Sequence, residues 1–246
     1  MKEHWIEIEG ELISLEDTPI LLKNLNLMPI FLRRYFESKF TKKIIPSKEE
    51  QIEYQKKFMR RENIVNKEGL NDWLKFNGVE ESDLNLNIYN SVKLEKFKEE
   101  KFSQYVEDIF LKRKTSLDRV TYSIIRVKSK EKIVELHLRL REEESTFPDL
   151  SAEFSEGIEN VLHGLVGPLE LGKVNINIAE RLKASKSGQL WPPFELEGWW
   201  VLLRHERLIP ATLNNAMRQR LINEMYESWM MDKIKNALSN LKKTEV

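Results

Sequence analysis

Between residues 16 and 118 the chain contains two glycines, Gly69 and Gly78, and three prolines, Pro19, Pro29 and Pro46. A stretch of that length with so few breakers has little choice but consecutive helices. Leu21, Leu25, Met28, Leu32, Tyr35 and Phe36 recur at three- and four-residue spacings, so a helix is expected over 18–41, kinked or split by Pro29. Ser47, followed by Glu49 and Glu50, marks a second helix start. Asn66 or Asn71 caps a third, ended by Asn77-Gly78, and a long helix follows from Ser82-Asp83 to about Lys114.

The texture changes at Leu117-Asp118. Val120–Val127 is β-branched and aromatic, which predicts a strand. An amphipathic helix over 130–142, a short helix over 147–157 ending at glycine and a glycine-punctuated loop over 163–168 come next. A short helix near 177–184, a hairpin and a long helix after Pro210 complete the order. The expected fold class is α+β: a helical N-terminal domain completed by the C-terminal helix, plus a small antiparallel sheet with surrounding helices. The expected domains are 1–118, 119–209 and 210–246, the last packing on the first.

Forty basic and forty acidic residues cancel, which argues against a dedicated nucleic-acid binder. With no cysteine, thiolate nucleophiles, disulfides and zinc–thiolate sites are excluded. The four histidines, His4, His137, His163 and His205, show no ligand spacing, so neither a metal nor any other cofactor is expected. No apolar run approaches the ~20 residues of a membrane helix, and the N-terminus lacks a signal-peptide core, so the expected compartment is the cytoplasm, without membrane insertion.

Gly188–Arg204 holds three of the six tryptophans and two of the eight prolines, and ends in Gly198-Trp199-Trp200-Val201-Leu202-Leu203-Arg204. This stretch resembles the last hairpin of parvulin-type (PpiC-like) prolyl isomerases. Phe147, Leu150, Ser151-Ala152 and Phe154-Ser155 resemble a helix of that family, and His163–Pro168 its glycine loop. Helices on both sides of such an insert are similar to the layout of SurA- and PrsA-type foldases and of parvulin-related cyanobacterial proteins.

The resemblance implies two facing histidines, a Cys or Asp beside them and a Met/Phe proline pocket. In this chain the histidine positions fall at Ser123 and Trp200, the Cys/Asp position near Gly157, and the loop aspartate at Leu165. No confident catalytic residue remains. The pocket positions fall at about Val174 and Ile178, with His163, Trp191 and Trp200 as further substrate-binding candidates. Each also has a plain structural alternative: a small core residue at Ser123, core or groove wall at Trp200, ordinary packing at Val174 and Ile178, a solvated loop at His163, and a hairpin clasp at Trp191. The methionine-rich stripe of the last helix, including Met217, Met225, Met230 and Met231, suits a peptide groove or plain core.

The resemblance implies a foldase or chaperone that binds extended or unfolded polypeptide, proline-containing segments and precursor peptides among them, with isomerase activity weak or lost. Two alternatives stay open: an active prolyl isomerase using other polar groups, and a non-catalytic interaction module of a peptide export or maturation system. The sequence is silent on oligomeric state.

Overall fold

The computed structural model describes residues 4–14 and 16–244. The chain is mostly helical, with a four-stranded antiparallel sheet in its second half, an α+β fold. It divides into two compact units, residues 1–106 with 218–246, and residues 107–217. Among the described residues no helix is long and apolar enough to cross a membrane.

The first unit opens with a hairpin, β1 (His4–Ile8) and β2 (Glu11–Ser14), that the helical expectation missed. The alternation Trp5-Ile6-Glu7-Ile8 carries a strand signal, and positive φ at Glu9 and Gly10 makes the turn. The prolines split the next expected helix as predicted: α1 (Thr18–Asn24) and α2 (Met28–Thr41) each carry proline in the first turn, where its missing N–H costs nothing. At α3 (Lys48–Arg61), Ser47 and Glu50 form a reciprocal capping box. Asn66 caps α4 (Lys67–Asn77), and Gly78 closes it in the left-handed conformation.

The long helix expected over 82–114 is two helices. α5 (Glu81–Phe102) ends in a 3₁₀ turn at Ser103–Tyr105, and α6 (Val106–Leu117) follows. The break falls where the chain passes from the first unit to the second, and an unbroken apolar spacing across it hid the break from periodicity. Leu84, Ile88 and Val92 of α5 pack with Phe58, Leu70 and Leu74 of α3 and α4. At the other end of the unit, α10 (Asn215–Thr244) brings Tyr226 and Trp229 into a ring cluster with Phe40, Phe97 and Phe102. Met230 is fully buried.

The second unit is built on β3 (Arg119–Val127), which pairs with β4 (Leu165–Glu170) on one side and β6 (Trp199–Ile209) on the other. β5 (Phe194–Leu196) completes the order β4-β3-β6-β5. β5 and β6 are joined through Glu197 and Gly198, both at positive φ, the geometry of a tight primed turn. Period-two alternation gives the sheet two buried faces. Ile125, Val127 and Leu202 pack under α7 (Lys130–Arg141) and α8 (Phe147–Phe154). Val120, Tyr122, Ile124, Val201 and Leu203 pack under α9 (Ile176–Lys183). α8 ends at Phe154, short of the expected glycine.

The expected glycine loop is mostly strand β4. Its glycines serve close approach: a Cβ at Gly164 would lie 2.9 Å from the Ile124 carbonyl, and one at Gly167 2.6 Å from that of Val120. Glycines read as turn markers are thus what lets this edge strand press against β3.

Candidate functional site

A cleft of about 460 Å³ opens on the α9 face of the sheet. Its floor is Tyr122, Ile124 and Ile178; Leu165 and Val166 of β4 form one wall; Ile158 and Leu162, from a 3₁₀ turn, form another. That turn is held along β3 by backbone bonds from Glu156 N–H to the Arg126 carbonyl (2.8 Å) and from Ile124 N–H to the Gly164 carbonyl (2.9 Å). Ile158 and Leu162 are exposed, 88% and 67%, so the cleft has an apolar rim open to a partner.

One ion pair dominates the polar end. Arg126 donates through Nε to Glu159 Oε1 at 2.9 Å and through a terminal nitrogen to the second carboxylate oxygen. Ser155 Oγ donates to the same carboxylate at 2.8 Å. The Glu159 side chain is 3% exposed and that of Arg126 33%, so the pair spans the step from interior to cleft. Burial pushes the Glu159 carboxyl up, but Arg126, its own backbone N–H and Ser155 together outweigh that and hold it below the ordinary carboxylate range. The Arg126 guanidinium is held above its usual value by the same bond. Burial raises the Tyr122 phenol, which therefore stays protonated. Asn175 donates to Glu197 at 2.9 Å across the mouth.

The cleft gathers some of the residues singled out in the sequence and leaves others elsewhere. Ile178 and Leu165 line it, and Val174 packs against the cluster beneath it. Ser123 points to the opposite side of β3, where its Oγ donates to Glu206 at 2.5 Å, beside Arg204. Trp200 also lies on that opposite face, packed with the Ile125 and Leu202 cluster and with Lys130 over its ring. Counting along a motif placed both residues at histidine positions; the alternation of the strands puts both away from the cleft. The residues of β3 that face the cleft are Tyr122, Ile124 and Arg126, one step out of phase.

Gly157 precedes the 3₁₀ turn, and a Cβ there would collide with the Glu159 carboxylate. His163 ends the turn at φ 52° and is exposed, outside the cleft lining. Trp191 closes the hairpin: its Nε1 donates to Ser185 Oγ at 2.6 Å, its N–H to the Leu203 carbonyl at 2.8 Å, and its ring packs on the α9 cluster. Lys128 sits 3.5 Å from the centre of the Trp199 ring, and Arg181 3.9 Å from that of Phe194, so cations already cover these faces. Sequence reading missed Tyr122, Arg126 and Glu159. The signal was present for the first two, which flank Ile124 at alternate positions of the strand and so share one face with it. Among the described residues, no cluster of His, Cys, Asp and Glu has the makings of a metal site.

No protein-family model and no curated protein matches the chain. Among solved structures it is similar to the peptidylprolyl isomerase PrsA of Bacillus cereus, at 16% identity and TM-score 0.48, over 97% of this chain and 92% of that one. It is similar over 98% of both chains to a structure described for the SurA-like chaperones PEB4 and Cj1289 of Campylobacter jejuni, at 13% identity and TM-score 0.38. The parvulin domain of PpiD from E. coli matches 40% of this chain with 95% of its own length, at 22% identity and TM-score 0.34. The chain is similar to parvulin-type, PpiC-like peptidyl-prolyl isomerases of the PrsA and SurA-like kinds.

Proposed function

We propose that the protein is a foldase-type polypeptide binder whose second unit receives extended, proline-containing segments in the cleft over β3, β4 and α9, with isomerase turnover weak or lost. The observation that carries this reading is the lining itself: an apolar floor and an exposed apolar rim, one internally satisfied ion pair and no histidine. Prolyl isomerisation requires stabilising an amide twisted out of resonance, against a barrier of ~18–20 kcal/mol. An apolar cup binds the proline ring, but the twisted state needs polar groups placed for it. Here Arg126 and Glu159 are committed to each other.

In the same reading, residues 1–118 with 210–246 form the chaperone body and 119–209 the peptide-reading domain. Ile20, Leu25, Ile30 and Phe31 of α1, α2 and their junction are each at least half exposed, which suits transient contact with unfolded clients, precursor peptides among them. Two assays on the full chain test the proposal: turnover of a proline-containing tetrapeptide, and suppression of aggregation of several unfolded clients. The expected result is client binding with turnover far below that of an active isomerase. Binding to no client refutes the chaperone reading, and fast turnover refutes the loss of catalysis.

A further inference from the structure

The polar groups of the cleft are paired with one another, Tyr122 excepted. Arg126 bonds Glu159, and Asn175 is used twice, donating to Glu197 and accepting from the backbone of Asn177. Tyr122 is 7% exposed, lines the floor, and its hydroxyl has no hydrogen-bond partner among the described residues. The fully enclosed unpaired side-chain atoms among the described residues belong to Ser151 and His205, not to this phenol, so its oxygen keeps access to the cleft and can donate to a ligand there. Beside it, in register on β6, His205 is 2% exposed and neither ring nitrogen is bonded, so this imidazole does not satisfy the phenol.

The chemistry of an X–Pro bond fits that donor. Its amide nitrogen carries no hydrogen, so the polar group it presents at the bond is the carbonyl oxygen, an acceptor. With the proline ring against Ile124, Ile178 and Leu165, a site needs a neutral donor beside the ring rather than an acceptor. The charges of the cleft select further: one cation, Arg126, stands with two carboxylates, Glu159 and Glu197, and its charge is already balanced by the first. An acidic residue next to the proline meets net negative charge.

We propose that the Tyr122 hydroxyl donates to the carbonyl oxygen preceding proline, and that the cleft prefers apolar–Pro over acidic–Pro segments. This rests on the polypeptide-binding reading and deepens it. A donor on the carbonyl oxygen stabilises the planar, resonance-delocalised amide. It therefore strengthens holding and opposes twisting, which gives a physical reason for weak turnover.

The test is calorimetric titration of the full-length protein with a Leu-Pro tetrapeptide, its Glu-Pro counterpart, and a Leu-Pro peptide carrying a thioamide before proline, since sulfur accepts hydrogen bonds poorly. Tyr122→Phe is expected to weaken Leu-Pro binding about 3- to 10-fold, the size of one hydrogen bond. The thioamide should weaken binding to the unaltered protein by a similar factor and to Tyr122→Phe hardly at all, and Glu-Pro should bind more weakly at low salt. Equal affinity of the unaltered protein for amide and thioamide overturns the Tyr122 assignment even if the variant fails to fold. Glu-Pro binding as tightly as Leu-Pro overturns the preference. If Leu165→Arg binds Leu-Pro as well as the unaltered protein, the cleft reading itself falls.

Discussion

At the residue scale, the Arg126–Glu159 pair is the most consequential interaction in the second unit. A buried ion pair is not in itself strong evidence of stability, but removing one partner strands the other. Glu159→Gln is expected to destabilise the unit by about 1–3 kcal/mol near neutral pH, because Arg126 and Ser155 lose a charged acceptor. The folded Glu159 carboxyl lies below its unfolded value, so its contribution is present above the unfolded carboxylate pKa of about 4.3 and lost as pH falls through the folded one. Chemical melts from pH 7 to pH 3 should show the unaltered protein losing stability with acid, and Glu159→Gln a shallower loss. Gly157→Ala should weaken the same pair from the outside, by driving a methyl group into the Glu159 carboxylate. Its melting temperature should fall, whereas Gly69→Ala should not lower it, since Gly69 is helical and a Cβ there meets only ordinary contacts at 3.4 and 3.8 Å.

The sequence made part of this visible. Ser47, Asn66 and Gly78 announced helix ends by chemistry that acts within three or four residues, and each does so in the structure. The partnership of Arg126 with Glu159 was not legible, because it joins residues 33 positions apart through a 3₁₀ turn whose path no local propensity specifies.

At the scale of elements, the sheet shows why motif counting and strand phase give different answers. Ser123 and Tyr122 are neighbours in sequence and point to opposite faces of β3, so a one-residue difference exchanges a cleft residue for one facing Glu206. Trp200, read as the position of a lost histidine, packs with the α7 side, whereas Trp199 packs with the α9 cluster. The glycines of β4 carry the same lesson, since Gly164 and Gly167 make room for β3 instead of marking a loop. Gly164→Ala should be strongly destabilising, by about 2–4 kcal/mol, because the position combines φ of 80° with a steric collision against Ser151 and the Ile124 carbonyl. Urea unfolding of the variant measures this, and a loss under 0.5 kcal/mol contradicts the close-approach account.

At the scale of the whole molecule, each unit has its own core, and the first is completed by the end of the chain. Trp229 and Tyr226 of α10 enter rings contributed by α2 and α5, and Tyr226 donates to Glu37 at 3.0 Å. Trp229→Ala should cost the first unit about 3 kcal/mol. A chain ending at Met217 should lose the helical unit's cooperative transition while residues 107–217 keep theirs; two-probe thermal unfolding separates the outcomes, and loss of both transitions contradicts independent cores. The returning helix was legible as a regular stripe from Met217 to Trp229, although Leu213, the first residue of the expected stripe, lies before the helix start at Asn215. The N-terminal hairpin was overlooked because a short alternating run stands before a long helical stretch.

The central claim is that the cleft over β3, β4 and α9 holds polypeptide. The most direct measurement is an amide NMR titration of the full-length protein with a Leu-Pro tetrapeptide. Saturable shifts should concentrate at Tyr122–Arg126, Ile158–Gly167 and Asn175–Ile178, and disappear in Leu165→Arg. Shifts confined to other segments, or none at millimolar peptide, would contradict it.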